Sequence, residues 1–442
     1  MSRTVAMPWN RLTYLPVPPH LRNLATARTA AAPVPNPPTT TNSSSKNGLS
    51  IKVATWNVLA QCLIKRDQYP GAAKSALRST ARRQLLTAWT TALDADIYTL
   101  QEVDMVAQLW TPLLRKLGYE YLHCAKSAGF HGLLIGWRAA TWRCVRSAGV
   151  SLDSDPLVAT EELLQKVEDM TVPDSYADKR AVAAAAAGSS GGPVTLFPGT
   201  GNVGMMVELE HLESGRRIVV CTAHLYWIPR GAYIRVRQAA VLMNAIAAFN
   251  TASLPLVAAG DFNALCGRVE HSLWTGAPLT PLHLHRLSDI PLPADNRTLP
   301  DDDAPLPEYE FGSVATPDLS PSDLLALAQR QPRLLSCYDA YPQLDPAHAN
   351  PEARNDAAWT DRVAEPAWTT YTAEFQGTLD YIFVADPKST TSDQETRFPW
   401  RVDELLALPT PAEMAAQEGG GLPSVEHPSD HVPLVAVLTL LE

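Results

Sequence analysis

The sequence predicts an α/β or α+β fold in which helices cover β-sheets. Apolar stretches with strand character alternate along the chain with stretches at helical spacing. The chain has 442 residues, of which 46% are hydrophobic and 19% charged, enough to bury a sizeable core. No apolar run reaches the ~18 residues needed to cross a bilayer, so no membrane association is expected.

The elements follow in order. "IKVATWNVL" (51–59) alternates like a strand, and "TARRQLLTAWTTAL" (80–93) carries apolar residues at helical spacing. "ADIYTLQEV" (95–103) is a strand ending in an acid, "AQLWTPLLRKLGY" (107–119) a helix, and "HGLLIGWR" (131–138) a strand. "RIVVCTAHL" (217–225) is a strand, "YIRVRQAAVLMNAIAAF" (233–249) a helix, and "LPLVAAGDFN" (254–263) a strand. "TLDYIFV" (378–384) and "HVPLVAVLTL" (431–440) are late strands. Residues 1–48, rich in Pro, Thr, Ser, Ala and Asn, predict a disordered tail or a targeting segment ahead of one catalytic domain at 49–442. Two excursions interrupt that domain, at about 153–201, with "AVAAAAAGSSGG", and at about 276–325, rich in Pro, Asp and Leu.

Charge narrows the functions. Residues 1–66 hold eight Lys or Arg and no acid, leaving 28 basic against 46 acidic residues in the remainder, a balance of −18. A protein gripping a long duplex through many phosphates would be basic. An acidic body that handles nucleic acid fits a short end in a site where metal ions offset phosphate charge. The six cysteines show no C-x-x-C spacing, which argues against zinc and for a reducing, intracellular compartment, cytoplasm or nucleus. No secretory signal is expected. A mitochondrial presequence stays open, although Pro8, Pro16, Pro18 and Pro19 would break its helix.

The chemistry gathers where strands meet loops. Asn57 ends "VATWN", Glu102 ends "YTLQE", His224 ends "VVCTAH", and Asp261 and Asn263 end "LVAAGDFN". Asp380 interrupts "GTLDYIF", and Asp430 and His431 precede the last strand. Singly, each reads as a turn former, a solvated charge or a satisfied core histidine. Together they form one hydrolytic set, because rigid strands place ligand groups at their open ends. Carboxylate and amide oxygens are hard ligands suited to Mg²⁺, or Mn²⁺, with Glu102 the first ligand and Asp261, Asn263 and Asn57 near it. Metal and imidazolium groups stabilise the charge that grows on a phosphodiester under attack. Adjacent residues cannot easily bond each other on a straight strand, so Asp380 is expected to orient His431 while Asp430 acts elsewhere.

Six ordered motifs, "WNVLAQ", "LQEVD", "AHLYWIP", "GDFN", "FQGTLDYIFV" and "LPSVEHPSDHVPLV", resemble the endonuclease/exonuclease/phosphatase superfamily, in particular its deadenylase-like branch. That branch includes nocturnin, the angel proteins, the 2′,5′-phosphodiesterase and fungal exonucleases that trim ribosomal RNA. The resemblance runs from about residue 51 to 442 outside the excursions. It implies a four-layer sandwich of two packed mixed β-sheets flanked by helices, and Mg²⁺-dependent phosphodiester hydrolysis by an activated water. It implies Glu102 as principal metal ligand, with Asn57 holding metal and phosphate. Asp261 would bind metal or activate the water, and Asn263 would orient phosphate. His224 and His431 would stabilise the phosphorus centre or protonate the leaving oxygen, with Asp380 and Asp430 positioning them. Phe375 and Pro229 would hold the terminal base.

The leading expectation is a 3′→5′ RNA exonuclease acting on single-stranded 3′ ends, such as rRNA precursors or poly(A). A 2′,5′-oligoadenylate phosphodiesterase and a phosphatase of small metabolites share the chemistry. A non-catalytic RNA-binding module is the reading from another class. Protein partners are not legible.

Overall fold

A computed structural model describes residues 12–18, 22, 48–126, 130–157, 164–167, 200–229, 231–288, 319–339, 341–348, 365–385, 399–417 and 419–441. The strands in chain order are β1 (Tyr14–Pro16), β2 (Gly48–Asn57), β3 (Ile97–Val103), β4 (Tyr119–Ala125), β5 (Gly132–Arg138), β6 (Trp142–Ser151), β7 (Val203–His211), β8 (Arg217–Ala223) and β9 (Leu256–Asp261). They continue as β10 (Leu335–Ser336), β11 (Thr370–Tyr371), β12 (Gln376–Gly377), β13 (Asp380–Ala385), β14 (Trp400–Leu406) and β15 (Leu434–Leu441). The main helices are α1 (Ser79–Leu93), α2 (Thr111–Lys116), α3 (Ala232–Phe249), α4 (Val269–Thr275), α5 (Pro281–Ser288) and α6 (Pro321–Gln329).

One sheet has the order β1-β14-β15-β2-β3-β5-β4, the other β10-β13-β9-β8-β7-β6, and β11 and β12 form a separate hairpin. Each large sheet is mixed, because β2–β3 and β8–β9 run parallel among antiparallel neighbours. Period-two alternation gives each strand two jobs. Val53, Ile97 and Ile135 of the first sheet meet Val207, Val220, Val257 and Ile382 of the second in a shared inner core. Trp56, Tyr98 and Leu134 face outward, onto Leu86, Trp89 and Leu93 of α1 and Leu114 of α2. Met206, Val219 and Phe383 face the other way, onto Val236, Ala240 and Phe249 of α3 and Trp274 of α4. The layers are therefore helix, sheet, sheet, helix. Burying each such aliphatic side chain contributes roughly 1.5–3 kcal/mol, so a one-residue slip in any central strand would be prohibitive.

The two parallel pairs decide where chemistry can sit. β2 and β3 end at the same edge of one sheet, and β8 and β9 at the same edge of the other. β13 and β15 run antiparallel to β9 and β2, so their first residues arrive at that edge too. One polar bond crosses between the sheets just beneath it. The buried Gln101 amide donates to Thr55 Oγ1 at 3.2 Å and to Thr222 Oγ1 at 3.0 Å.

Some expectations need correction. Within the segment expected to be a tail, Tyr14–Pro16 is an edge strand on β14, held because Val17 is buried in the inner core and Leu12 and Tyr14 pack against the outer one. The rest of 1–47, apart from 12–18 and 22, lies outside the described residues. The helix expected at 107–119 opens as a π-helical turn, Val106–Trp110, before α2, and Tyr119 already begins β4. Pro112 has no N–H to return to the preceding turn, so the bonding pattern changes there. The excursion at 276–325 contains α5 and the start of α6, whose Leu287 and Leu324 are buried on the outer face of the second sheet. In the other excursion, Gln165 bridges Gly149 at the edge of β6, and "AVAAAAAGSSGG" falls outside the described residues.

Candidate active site

The expected residues converge at that common edge. Asn57 is the last residue of β2, Glu102 lies near the end of β3, His224 directly follows β8, and Asp261 ends β9. Asp380, first in β13, pairs with Asp261 across the sheet, and His224 bridges Asp261 from the other side. His431 lies three residues before β15, bridged to Thr370 of β11. Glu102 has φ 56°, in the left-handed region, where the register between β3 and β5 shifts. Such a bulge re-aims a side chain that a regular strand would send elsewhere. Asn263 also adopts a left-handed φ of 48°, which Asn tolerates.

One amide joins the two acids. Asn57 Nδ2 donates to Glu102 Oε1 at 3.1 Å and to Asp261 Oδ2 at 3.0 Å, so these oxygens are no more than about 6 Å apart. The Ala60 N–H holds Glu102 Oε2 at 3.0 Å, and the Asn263 N–H holds Asp261 Oδ1 at 3.0 Å. Asn263 Nδ2 turns instead to the Leu225 carbonyl, at 3.0 Å. Around Asp261 stand two imidazoles, with His224 Nε2 3.5 Å and His431 Nε2 3.9 Å from its Oδ2. The far nitrogen of His431, Nδ1, lies 2.7 Å from Asp380 Oδ2, which also accepts from Thr369 Oγ1 at 2.6 Å. Asp430 is directed away from His431, and its Oδ2 accepts from Tyr69 Oη at 2.8 Å.

The environment sets the charges. Loss of solvent, then the Asp430 charge, pushes the Glu102 carboxyl up. Burial and then Asp380 raise Asp261 to about 7. Burial opposes charge on His431, but Asp380 outweighs it and holds the imidazole well above its ordinary value. Burial, followed by Lys126, holds His224 well below, so it is neutral at pH 7. The two imidazoles beside Asp261 are therefore biased in opposite directions, His431 toward its charged form and His224 toward its neutral one.

The donor set fits a hard divalent cation. Glu102 and Asp261 are two enclosed carboxyls whose charged forms are opposed by burial and by the neighbouring Asp430 and Asp380, and a divalent ion held by both would offset that cost. Asp261, Asp380 and His431 also bring ligand atoms within 4.8 Å of one another. That trio is the weaker cradle, because Asp380 and His431 already bond each other.

Phe375 and Pro229 stand exposed on loops leaving the site. Phe375 caps the β11–β12 hairpin, which is fastened beside His431 by Tyr371 N–H donating to the Asp430 carbonyl at 3.0 Å. Pro229 follows His224 in a loop whose carbonyls at Ile228 and Pro229 accept from Arg235 at 2.6 and 2.8 Å.

A model of the Endonuclease/Exonuclease/phosphatase family matches residues 54–431, spanning every residue of this site. The chain belongs to that family. Membership makes it a hydrolytic enzyme. Among similar proteins, a "Probable RNA exonuclease" of Schizosaccharomyces pombe is 27% identical over 437 residues, covering 88% of this chain and 76% of that protein. The 2′,5′-phosphodiesterase 12 of Homo sapiens is 26% identical over 402 residues, covering 88% of this chain but only 51% of its relative. In fold, the chain is similar to the crystal structure of ANGEL2, a 2′,3′-cyclic phosphatase, with a TM-score of 0.59, 19% identity, and coverage of 89% of this chain and 96% of that one. These relatives fall in the deadenylase-like branch of the family.

Three supporting residues around this site were not singled out in the sequence. Arg82 is fully buried, and its guanidinium donates to the carbonyls of Val58 at 2.8 Å, Pro428 at 2.7 Å, and Leu59, and to Gln61 Oε1 at 3.0 Å. It clasps the loop after Asn57 to the loop before His431. Its signal was present, since position 82 shares a helical face with 86, 89 and 93, where an arginine needs a buried reason. Tyr69 and Thr369 lie in irregular segments, where no periodicity marks them.

Proposed function

We propose that the protein is a divalent-metal-dependent 3′→5′ RNA exonuclease that hydrolyses phosphodiester bonds at single-stranded 3′ ends, with Mg²⁺ as its ion. The observation that carries this reading is Asn57 bridging Glu102 and Asp261 beside the Asp380–His431 pair. The RNA exonuclease among its relatives, and the acidic body, favour a short RNA end as substrate.

Glu102 and Asp261, with Asn57, would hold the ion, which when bound supplies positive charge to the phosphate oxygens. The protein's own groups do the rest. Asp261 lies where a water attacking phosphorus can give it a proton, and neutral His224 keeps that water oriented by accepting from it. His431, held protonated by Asp380, donates toward the oxygen on which charge develops. Asp380 and Thr369 fix the His431 ring, so no reorganisation is needed as charge builds. Asn263 closes the rim over Asp261, and Asp430 with Tyr69 stiffens the segment carrying His431. Phe375 and Pro229 would clamp the terminal base, where stacking on an aromatic face is worth ~1–3 kcal/mol.

The test is a panel of 5′-labelled oligonucleotides incubated with Mg²⁺. It varies sugar, 3′,5′ or 2′,5′ linkage, and 3′ terminus. The proposal expects one-nucleotide ladders from the 3′-hydroxyl end of RNA, abolished by chelator. Preference for 2′,5′ linkages would move it to the phosphodiesterase reading. Release of phosphate from small esters with intact RNA would move it to a phosphatase. RNA binding without cleavage would refute it.

A further inference from the structure

Trp227, three residues after His224, is 62% exposed, whereas each of the other eight described tryptophans is at most 7% exposed. Burying an indole is among the largest apolar gains open to a chain, so one left in solvent calls for a partner outside the fold. Its neighbours set its direction. Leu225 and Ile228 are buried and anchor the loop after β8, while Trp227 and Pro229 stand outside.

The backbone beneath the indole is held stiffly. The Leu225 N–H donates to the Asp261 carbonyl at 3.0 Å, and Asn263 Nδ2 donates to the Leu225 carbonyl at 3.0 Å. The Tyr226 N–H donates to Gln238 Oε1 at 2.9 Å. Arg235 of α3, paired with Glu270 of α4 at 2.6 Å, donates to the carbonyls of Tyr226 at 3.3 Å, Ile228 at 2.6 Å and Pro229 at 2.8 Å. Gly231 closes the turn through its N–H, which donates to the Ile228 carbonyl at 2.9 Å. A Cβ at that position would lie 2.4 Å from the Tyr226 ring, so only glycine lets the loop fold this tightly. The carbonyls on both sides of Trp227 are thus pinned to one buried ion pair. A ring presented on so fixed a loop loses little freedom when something stacks on it. A flat aromatic face in solvent, beside a site for phosphate chemistry, suits a nucleobase.

Position narrows which base. Three residues of extended chain span at most ~11 Å, so Trp227 lies within a nucleotide or two of the phosphate at His224. Pro229, assigned above to the terminal base, is two residues further on, at most ~7 Å away. We propose that Trp227 is the stacking platform for the penultimate base of a single-stranded RNA, the base on the 5′ side of the bond being cleaved. The inference rests on the RNA 3′-end reading above. It makes the substrate an oligonucleotide that offers at least two bases, and it assigns Trp227 to substrate binding and not to the reacting atoms.

The test follows removal of the first 3′ nucleotide from a short RNA whose penultimate base is intact and from the same RNA with an abasic ribose there. The phosphates and the terminal base are the same in both. Wild type should lose roughly tenfold in kcat/KM on the abasic RNA, mostly in KM, the scale of one base stacked on an aromatic ring. Little buried area goes with so exposed a ring, so Trp227→Ala should fold normally. It should lose about tenfold on the intact RNA, show no further penalty on the abasic one, and keep its choice of terminal base. Trp227→Phe keeps a ring and should retain most of the wild-type behaviour, which separates stacking from damage to the loop. A penalty absent in wild type, or one that persists in Trp227→Ala, overturns the platform while leaving the exonuclease reading intact. A Trp227→Ala protein that blurs the choice of terminal base would join the indole to the terminal clamp, and this too overturns the proposal. If wild type removes no nucleotide from either RNA, the exonuclease reading itself fails and the platform falls with it.

Discussion

Asp380 Oδ2 lies 2.7 Å from His431 Nδ1, although the two residues are 51 positions apart and His431 has another aspartate as its direct neighbour in sequence. The contact makes His431 a cation with a fixed ring. Asp380→Asn keeps the shape and removes the charge, so turnover should fall by roughly 10²–10⁴-fold, the range for a positioned proton donor. His431→Ala should cost as much, and the double variant little more, because the two act as one unit. Additive losses in a double-mutant cycle of kcat would show that they do not.

Glu102 separates stability from activity. Its carboxyl is held above the ordinary value, so at neutral pH the folded state bears the cost of keeping it charged. Glu102→Gln should therefore leave metal-free thermal stability unchanged or raised, while reducing cleavage by at least about 10²-fold. Mg²⁺ should raise the melting temperature of wild type and not that of Glu102→Gln. Calorimetry with chelator and with excess Mg²⁺ checks both arms. Equal metal stabilisation of the two proteins would remove Glu102 from the ligand set.

Arg82 carries the largest structural prediction. Truncation to Ala would leave the Val58, Leu59 and Pro428 carbonyls buried without their donor. The expected loss is roughly 3–5 kcal/mol in urea unfolding, since each such orphan costs about 1–3 kcal/mol. Arg82→Lys has one ammonium for four acceptors and should recover only part of it. A loss below about 1 kcal/mol would mean that the two loops hold their places unaided.

These cases also mark what was legible in the sequence. Strand ends bearing Asn57, Glu102, His224 and Asp261 could be placed because alternation fixes where a strand is and parallel pairing carries its end to the shared edge. The choice of Asp380 over Asp430 as partner of His431 followed from strand geometry. The bulge that turns Glu102 inward, the clasp by Arg82, and the bonds from Tyr69 and Thr369 depend on contacts between segments far apart in sequence, for which neither periodicity nor composition supplies a signal. The edge strand at Tyr14–Pro16 was hidden for another reason: three residues are too few for alternation to show, and only the packing of Val17 makes them a strand.

Phe375 is 42% exposed on a hairpin fastened beside His431, an expensive place to leave a large apolar ring without use. Phe375→Ala should raise KM about tenfold or more and weaken discrimination between terminal bases, while Phe375→Trp should retain both. Unfolding should barely change, because little buried area is lost. Base preference that survives Phe375→Ala would exclude the ring from the substrate.

His427, four residues before His431, predicts the acid limit of the fold. Its ring sits edge-on to Trp56 and Trp89, at 5.6 and 4.9 Å between centroids, and burial there pushes its pKa down to about 4. The unfolded chain takes up that proton near the ordinary value of about 6.5, before the folded one can. The contribution of this residue to stability is thus intact above pH 6.5 and declines as pH falls toward 4. The decline from this residue should be of order 2 kcal/mol between pH 7.5 and 5. His131, also held to about 4 by burial, adds a loss of the same sign. Asp261, raised to about 7, changes stability in the opposite sense over the same range, so the measurement is differential: below pH 6.5 the urea midpoint of wild type should fall relative to that of His427→Gln, which has no proton to gain. Identical slopes in the two proteins would mean that the ring between the tryptophans can be protonated without leaving its place.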